Sequence, residues 1–425
     1  MLLTTRLKER LIARGISEVL LHPDDIAALF GESQPTPAGA KATSTQPAAK
    51  KKKPPRVVTR QSSLRETVAQ IKAHASALAT SVSRQIENSG PPLSERQVSH
   101  GTAPYNVQQR ARLVRHFAVT TELLNEITQQ AVAGKVKDDR PLKDAAQGYI
   151  GELTADTDSV IASSNELAPN PTITQRGVRL ALLAMAMAME ADWDETHVSE
   201  VGLCGLVHDF GMFRLDENLL DPQAKLSTGD WRELTDHPLH TLDMLTSMKN
   251  VSLAVRLAAT QVHENPDGSG YPRRLSKEEI HPYARLLHAA DAYITLTAEM
   301  GGRAAFLSYD VMVYLLNQVK ANRMDEESIR ALLQVVSLFP IGSHVRLSDG
   351  SEAQVIRRNA LHYTTPIVQR VGANRKARFG SAHASIIDLA QAKMRVMSPL
   401  VPPGREETRL DESMVSQVLW EDPRW

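Results

Sequence analysis

Cysteine is almost absent from this sequence, because Cys204 is the only one in 425 residues. An internal disulfide needs two thiols and a thiolate metal cluster needs several, so both are excluded. A single thiol in a chain of this length suits a reducing compartment. We therefore expect a cytoplasmic protein.

The sequence also lacks a net charge and a long apolar run. Lysine and arginine together number 49, as do aspartate and glutamate, so charge gives no reason to expect sequence-specific nucleic-acid binding. The most apolar stretch, 180–189, ends at Glu190 and is shorter than the ~20 residues that cross a bilayer. The first residues carry frequent charges and no signal-peptide core. We expect no membrane insertion.

Composition separates the N-terminal part of the chain from the rest. Residues 1–33 read as a small segment with a basic amphipathic helix. Residues 34–60 are rich in proline, alanine, threonine, serine and lysine, a composition that cannot bury a core and predicts a flexible linker. The lysine run at 50–53 could touch nucleic acid or an anionic membrane surface, but a solvated linker is the favoured interpretation.

The remaining chain shows two hydrophobic periods. Residues 61–167 repeat apolar residues at steps of three and four, as in Leu113, Phe117 and Leu124, which predicts long helices. We expect this region to pack or to form a homodimer. Residues 168–335 are helical and more apolar, as in a bundle. Residues 336–397 alternate with a period of two around an Asp349-Gly350 turn and predict a small β domain, followed by a loosely held tail at 398–425.

Histidines and carboxylates recur inside the apolar helical stretch. They are His208-Asp209, His237, His263-Glu264 and Asp291. Buried polar groups are costly unless they find partners, so this recurrence predicts a site. Imidazole and carboxylate suit Fe, Mn or Zn, and a carboxylate can bridge two ions. The following loop, 265–272, has two glycines and two prolines, so backbone geometry sets its path.

The order of these motifs resembles the HD-GYP family, a branch of the HD metal-dependent phosphohydrolases that cleaves cyclic di-GMP. The resemblance rests on His208-Asp209, His237-Pro238, His263-Glu264, Gly270-Tyr271-Pro272 and Ala290-Asp291, and it covers about residues 170–335. The segment 339–350 is similar to a β appendage that often follows this domain. The resemblance implies a mainly α fold: an HD-type helical bundle with long helices before it and a small C-terminal β domain.

The resemblance also implies a chemistry. One or two divalent metal ions (Fe, Mn or Zn) would activate water for attack on the phosphodiester of cyclic di-GMP or a related cyclic dinucleotide. The implied metal ligands are His208, Asp209, His237, His263 and Asp291, with Asp209 bridging if two ions bind. Gly270, Tyr271 and Pro272 would form the substrate wall. Tyr271 could equally be a structural residue whose hydroxyl caps the loop.

Four positions depart from the family pattern. Met212 stands where a lysine is expected, and Val262 replaces the first histidine of a His-His-Glu motif. Arg176 occupies a further histidine position. Only Arg303 remains of an Arg-Pro-Tyr-Arg motif that helps to hold the ligand, and we expect Arg303 to bind the substrate.

Arg176 opens an alternative to catalysis. A guanidinium beside Asp209 and Asp291 could form the ion pair that a metal would otherwise supply, and it would repel a cation. The first hypothesis is therefore an HD-GYP-type phosphodiesterase, and the second is a degenerate HD-GYP module that binds a ligand or a signalling protein. Glu264 and His240 are expected to orient neighbouring groups rather than bind metal.

Overall fold

The computed structural model describes most of the chain after residue 75. The described residues are 76–402, except 78, 88–89, 137, 168–169, 221–225, 300–302, 360–361 and 372–385, together with 407–410 and 415. The predicted segment 1–33, the linker 34–60, the start of the helical region 61–167 and most of the tail lie outside them.

Eleven α-helices and seven strands are named within the described residues. The helices are α1 (Val107–Val132), α2 (Arg140–Gly148), α3 (Ile150–Leu167), α4 (Ile173–Glu190), α5 (Glu195–Val207), α6 (Thr228–Thr235), α7 (His237–Ser247), α8 (Leu253–Gln261), α9 (Pro282–Thr297), α10 (Ser308–Lys320) and α11 (Glu326–Val336). The strands are β1 (Ala305–Phe306), β2 (His344–Leu347), β3 (Glu352–Arg357), β4 (Ile367–Arg370), β5 (Ile386–Asp388), β6 (Val396–Leu400) and β7 (Glu407–Thr408). The predicted mainly α fold with a C-terminal β part is confirmed.

Helix α4 is the centre of the bundle. A capping box starts it, since the Thr172 hydroxyl accepts from the Gln175 amide and the Gln175 side chain accepts from the Thr172 amide. Its alanines and methionines from Leu180 to Met189 are buried. A helix that is apolar on every side must be covered on every side, and α4 contacts α1, α3, α5, α9 and α11.

The helices before α4 belong to the same core. Leu113, Phe117 and Leu124 of α1 pack in one continuous hydrophobic cluster with α4. The part of this region between α1 and α4 forms two helices, because α2 ends at Gly148 and α3 begins at Ile150. A side chain at Gly148 would meet the His116 ring at 2.9 Å, and Tyr149 turns inward to donate to Thr120 Oγ1 at 3.0 Å. No helix among the described residues has the length and apolar character needed to cross a membrane.

The C-terminal β part is a five-stranded sheet in the order β5-β4-β3-β2-β6, with every pair antiparallel. The predicted hairpin is present: β2 and β3 pair Val345 with Ala353, and Gly350 adopts φ +81° in the turn. The sheet has a small core of its own around Val345, Val355 and Val368. Separately, β1 and β7 pair in parallel.

Buried ion pairs join this sheet to the helices. The Arg357 guanidinium donates to both carboxylate oxygens of Asp156 in α3 at 2.9 Å, and both side chains are almost fully buried. The neighbouring Arg358 contacts Asp158 at 2.8 Å and Glu190, the last residue of α4, at 2.7 Å. A bidentate arginine fixes both distance and orientation, so these pairs set how the sheet lies on the bundle.

We predict that Arg357→Met lowers the free energy of unfolding by about 3–5 kcal/mol, because it leaves the Asp156 carboxylate buried without its partner. The matched control is Arg346→Met on the same sheet. Arg346 forms an exposed pair with Glu352, and its loss should cost less than about 1 kcal/mol. Urea denaturation followed by circular dichroism measures both, and equal costs would contradict the prediction.

Gly211 allows the turn after α5 to approach α7. A Cβ atom there would lie 1.9 Å from the His237 carbonyl oxygen and 2.7 Å from the Thr241 amide nitrogen. The Gly211 amide donates to Thr241 Oγ1 at 2.8 Å, and that hydroxyl donates to the His208 carbonyl at 2.8 Å. The close backbone contact therefore fixes His208 and its neighbour against the start of α7.

We predict that Gly211→Ala destabilises the protein by about 1–3 kcal/mol, because the added methyl group must push α7 away. Gly151→Ala is the control, since a Cβ atom on Gly151 meets nothing within 4 Å and alanine favours a helix. The control should be neutral or slightly stabilising by thermal unfolding. An unchanged unfolding temperature for Gly211→Ala would contradict the prediction, because it would show that α7 moves away from the methyl group without loss of stability.

Candidate metal centre

Five side chains from four places in the fold converge in the interior of the bundle. His208 is the C-cap of α5, and Asp209 follows it. His237 is the first residue of α7, and His263 comes just after α8 ends. Asp291 lies within α9. Thus the structure brings together all five residues that the resemblance implies as ligands.

The Asp209 carboxylate is the centre of this group. Its Oδ2 lies 3.2 Å from His208 Nε2. Its Oδ1 lies 3.4 Å from His237 Nε2 and 3.8 Å from His263 Nε2. Asp209, His208 and His237 are buried at 3%, 1% and 0% exposure. Three imidazoles therefore surround one buried carboxylate.

Backbone carbonyls fix which nitrogen of two of these rings carries the proton. His208 Nδ1 lies 2.9 Å from the Gly205 carbonyl oxygen, and His237 Nδ1 lies 2.7 Å from that of Leu234. A carbonyl oxygen only accepts, so each Nδ1 carries the hydrogen. In the neutral rings, each Nε2 then presents a lone pair to the Asp209 carboxylate. Two acceptors face each other unless a proton or a metal ion lies between them.

The electrostatics of the group agree with this need for a cation. Burial alone would raise the pKa of Asp209, but the charge of His208 and the three neighbouring histidine rings hold that pKa well below its usual range. Burial would lower the pKa of His208, but Asp209 and then Asp291 raise it. The carboxylate is thus kept ionised in the interior, where positive charge stabilises it.

The donor set fits a divalent cation. One ligand atom from each of Asp209, His237 and His263 can be chosen so that all lie within 4.8 Å of one another. Both Asp209 oxygens, and Nε2 of His208 and His263, are buried without a hydrogen bond of good geometry. Two nitrogens and one oxygen suit Zn, Mn or Fe. Catalytic sites of this kind keep further positions open for water.

Arg176 lies on the other side of the group. Its Nη2 donates to Asp291 Oδ1 at 3.1 Å and to Thr295 Oγ1 at 3.1 Å. Burial would lower the pKa of Arg176, but Asp291 and then Asp209 raise it. Asp291 also lies 4.0 Å from His208 and 3.9 Å from His263. The guanidinium is therefore a buried positive charge next to the carboxylates.

The loop after α8 folds back onto the histidines. The Tyr271 amide donates to the His263 carbonyl at 3.0 Å, and the Tyr271 ring stacks on the His263 ring with centroids 5.0 Å apart. Gly270 makes this approach feasible, since a Cβ atom there would meet the His263 oxygen at 2.5 Å. Pro272 follows Tyr271 in a cis peptide bond. Gly270, Tyr271 and Pro272 therefore form a wall beside the cluster.

Two of the other predicted residues, Glu264 and Met212, have structural contacts, and a third, His240, lies half-buried on α7. The Glu264 carboxylate accepts from the Arg273 amide at 2.7 Å and the Leu275 amide at 2.9 Å, which holds the loop. Met212 is 1% exposed and packs in a small apolar cluster. His240 is half-buried on α7, and burial followed by the Arg214 charge lowers its pKa.

Arg303 caps a helix in this structure. Its guanidinium donates to the carbonyls of Thr295 and Ala298 at 3.1 and 3.0 Å, and to that of Ala304 at 2.8 Å. It also lies over the Phe306 ring at 4.6 Å. These contacts hold the C-terminal end of α9, and substrate binding by Arg303 stays a prediction.

Two threonines that the sequence motifs did not indicate support the site. Thr241 links the turn after Asp209 to α7, and Thr295 accepts from Arg176. Each lies four residues after a candidate ligand, Thr241 after His237 and Thr295 after Asp291. Residues four apart share a helix face, so a polar residue at that spacing was the available signal.

Comparison with known proteins shows similarity over this part of the chain. Residues 162–327 match the family described as HD domain. The chain is 27% identical over 192 residues to cyclic di-GMP phosphodiesterase PA4108 of Pseudomonas aeruginosa, covering 45% of this chain and 46% of that protein. It is 30% identical over 135 residues to 3'3'-cGAMP-specific phosphodiesterase 3 of Vibrio cholerae, covering 32% and 29%. The chain thus spans about half or less of the length of these relatives.

A third relative and one solved structure are also similar to this chain, at 22% and 20% sequence identity. The chain is 22% identical over 199 residues to cyclic di-GMP phosphodiesterase PdeB of Borreliella burgdorferi, covering 47% of this chain and 52% of that one. A HDG"Y"P protein from Bdellovibrio bacteriovorus superimposes on 60% of this chain and 77% of its own, at 20% identity and a TM-score of 0.44. Residues 162–327 are therefore an HD domain, and the motifs within them are similar to those of HD-GYP domain proteins.

Proposed function

We propose that the chain is a metal-dependent phosphodiesterase that hydrolyses a cyclic dinucleotide. The observation that carries this proposal is the buried Asp209 carboxylate with His237 and His263 Nε2 facing the same oxygen at 3.4 and 3.8 Å. A preformed set of this kind costs stability unless it serves a ligand. The relatives are named for cyclic di-GMP or 3'3'-cGAMP, which supports a cyclic dinucleotide as the substrate.

Asp209, His237 and His263 would hold the metal. When bound, a divalent cation supplies activation of water and neutralisation of charge on the phosphoryl oxygens. The chain itself orients the ligands, because the Gly205 and Leu234 carbonyls fix the rings of His208 and His237. Burial of the cluster excludes bulk water and strengthens its electrostatic interactions.

The wall of the loop gives substrate a surface. The Tyr271 ring stacks on His263, and an aromatic face beside a metal centre suits a purine base or a ribose. The Glu264 carboxylate keeps the loop in place through the Arg273 and Leu275 amides. We assign to the loop the positioning of the substrate, and to the buried carboxylate and imidazoles the binding of the metal.

A second function remains open on specific observations. Arg176 forms an ion pair with Asp291, and Met212 packs among apolar side chains. Both would suit a module that binds a cyclic dinucleotide, or a signalling partner protein, without turnover. Two further proposals are compatible with either function. The helical region forms a homodimer, and the chain divides into a helical region at 61–167, an HD-GYP-like domain at 168–335 and a small β domain at 336–397.

We predict that the purified full-length chain contains Mn, Fe or Zn and converts cyclic di-GMP or 3'3'-cGAMP to a linear product when Mn²⁺ or Fe²⁺ is supplied. Asp209→Asn should lower metal content and reduce the rate by more than the 10–100-fold typical of residues that only support a ligand. Elemental analysis and chromatography of the nucleotides measure both quantities.

The control for this experiment is His362→Gln, because His362 is exposed and lies in the β part of the chain. This variant should keep its metal and its rate. Tight binding of a cyclic dinucleotide with no metal and no linear product would instead support the second function.

A further inference from the structure

We propose that the site takes one divalent cation and that the Arg176 guanidinium provides the second positive charge in the same pocket. The inference rests on the proposed function, because it concerns how the same site is charged. It assigns His237 and His263 to the metal, and it assigns Asp291 to the arginine.

The two oxygens of Asp209 divide the candidate ligands into two sets. Oδ1 faces His237 and His263, and these two rings with Asp209 form the compact group that fits a cation. Oδ2 faces His208 at 3.2 Å. A carboxylate with ligands on both sides has the geometry to join two positive centres.

The second positive centre on the Oδ2 side is already present as a side chain. His208 Nε2 lies 4.0 Å from Asp291 Oδ1, and that same oxygen accepts from Arg176 Nη2 at 3.1 Å. A metal ion bound to Asp291 Oδ1 at about 2 Å would lie within about 5 Å of the guanidinium. Arginine stays protonated in proteins, so the two cations would repel each other in a buried pocket.

Charge balance favours one metal ion beside this arginine. Asp209 and Asp291 bring two negative charges, and both are buried, at 3% and 8% exposure. Arg176 and one divalent cation together leave a single positive charge, which the single negative charge of a phosphodiester neutralises. A second divalent cation would leave three positive charges in the interior, where unpaired charge is costly.

The guanidinium is anchored as a permanent part of the site. Its partners Asp291 and Thr295 both lie on α9, one turn apart, while Arg176 itself lies in the first turns of α4. Arg176 as a whole is 5% exposed. Arg176 is therefore a positioning residue that holds Asp291 and contributes fixed charge.

The test is the number of metal ions bound per chain. Full-length protein is stripped with a chelator, saturated with Mn²⁺, desalted and examined by elemental analysis and native mass spectrometry. The wild-type chain should hold one ion. Arg176→His should hold two, because it removes the charge and adds an imidazole ligand. Arg176→Lys keeps the charge and should hold one.

Arg179→His is the matched control. Arg179 is a buried arginine on the same helix, and it donates to Asn165 at 3.0 Å. Its replacement should leave the count at one, which separates the charge of Arg176 from the general loss of a buried arginine. Isothermal titration of the wild-type chain with Mn²⁺ gives an independent count that needs no variant to fold, and one site is expected.

The outcomes separate this inference from the proposed function. Two ions in the wild-type chain, or one ion in folded Arg176→His, would overturn the inference and leave the phosphodiesterase proposal intact. No ion in the wild-type chain and none in Arg176→His would overturn the proposed function itself. No ion in the wild-type chain but two in Arg176→His would overturn the inference in favour of a site that the arginine silences.

Discussion

The buried carboxylate of Asp209 is the group on which the rest of the site depends. It is ionised in the interior of a helical bundle with histidine nitrogens at 3.2–3.8 Å, and such a charge is tolerated only with positive partners. Backbone groups around the site hold the histidine rings in position beside this carboxylate. Carbonyl groups orient two rings, Gly211 lets the chain close onto α7, and Thr241 bonds both segments.

The pocket suits two kinds of positive charge, a metal ion and the guanidinium of Arg176. An exchangeable metal ion suits the side of Asp209 that faces His237 and His263, whereas Arg176 lies beside Asp291. A guanidinium cannot activate water as a Lewis acid, but it keeps its charge at every physiological pH. The same pocket can therefore combine a reactive centre with a fixed electrostatic one.

The sequence was sufficient for those parts of the structure that local pattern determines. The hairpin at Asp349-Gly350 followed from a period of two, and the buried helix α4 followed from its apolar run. The motif order also indicated which five residues would converge. Contacts between distant segments left no such pattern. Nothing near Arg357 in sequence shows that it pairs with Asp156, which lies 201 residues away, because the tertiary fold brings the two together.

Helix α4 connects the two charged regions of the molecule. Arg176 near its start binds the Asp291 carboxylate of the site, and Glu190 at its end binds Arg358, which directly follows strand β3. Glu190 lies 14 residues after Arg176 in the same α-helix, which is about 21 Å at 1.5 Å per residue. A displacement of the sheet would thus act on the C-terminal end of α4, at Glu190. One continuous helix therefore links the ion pair of Arg358, next to the sheet, to the guanidinium beside the site.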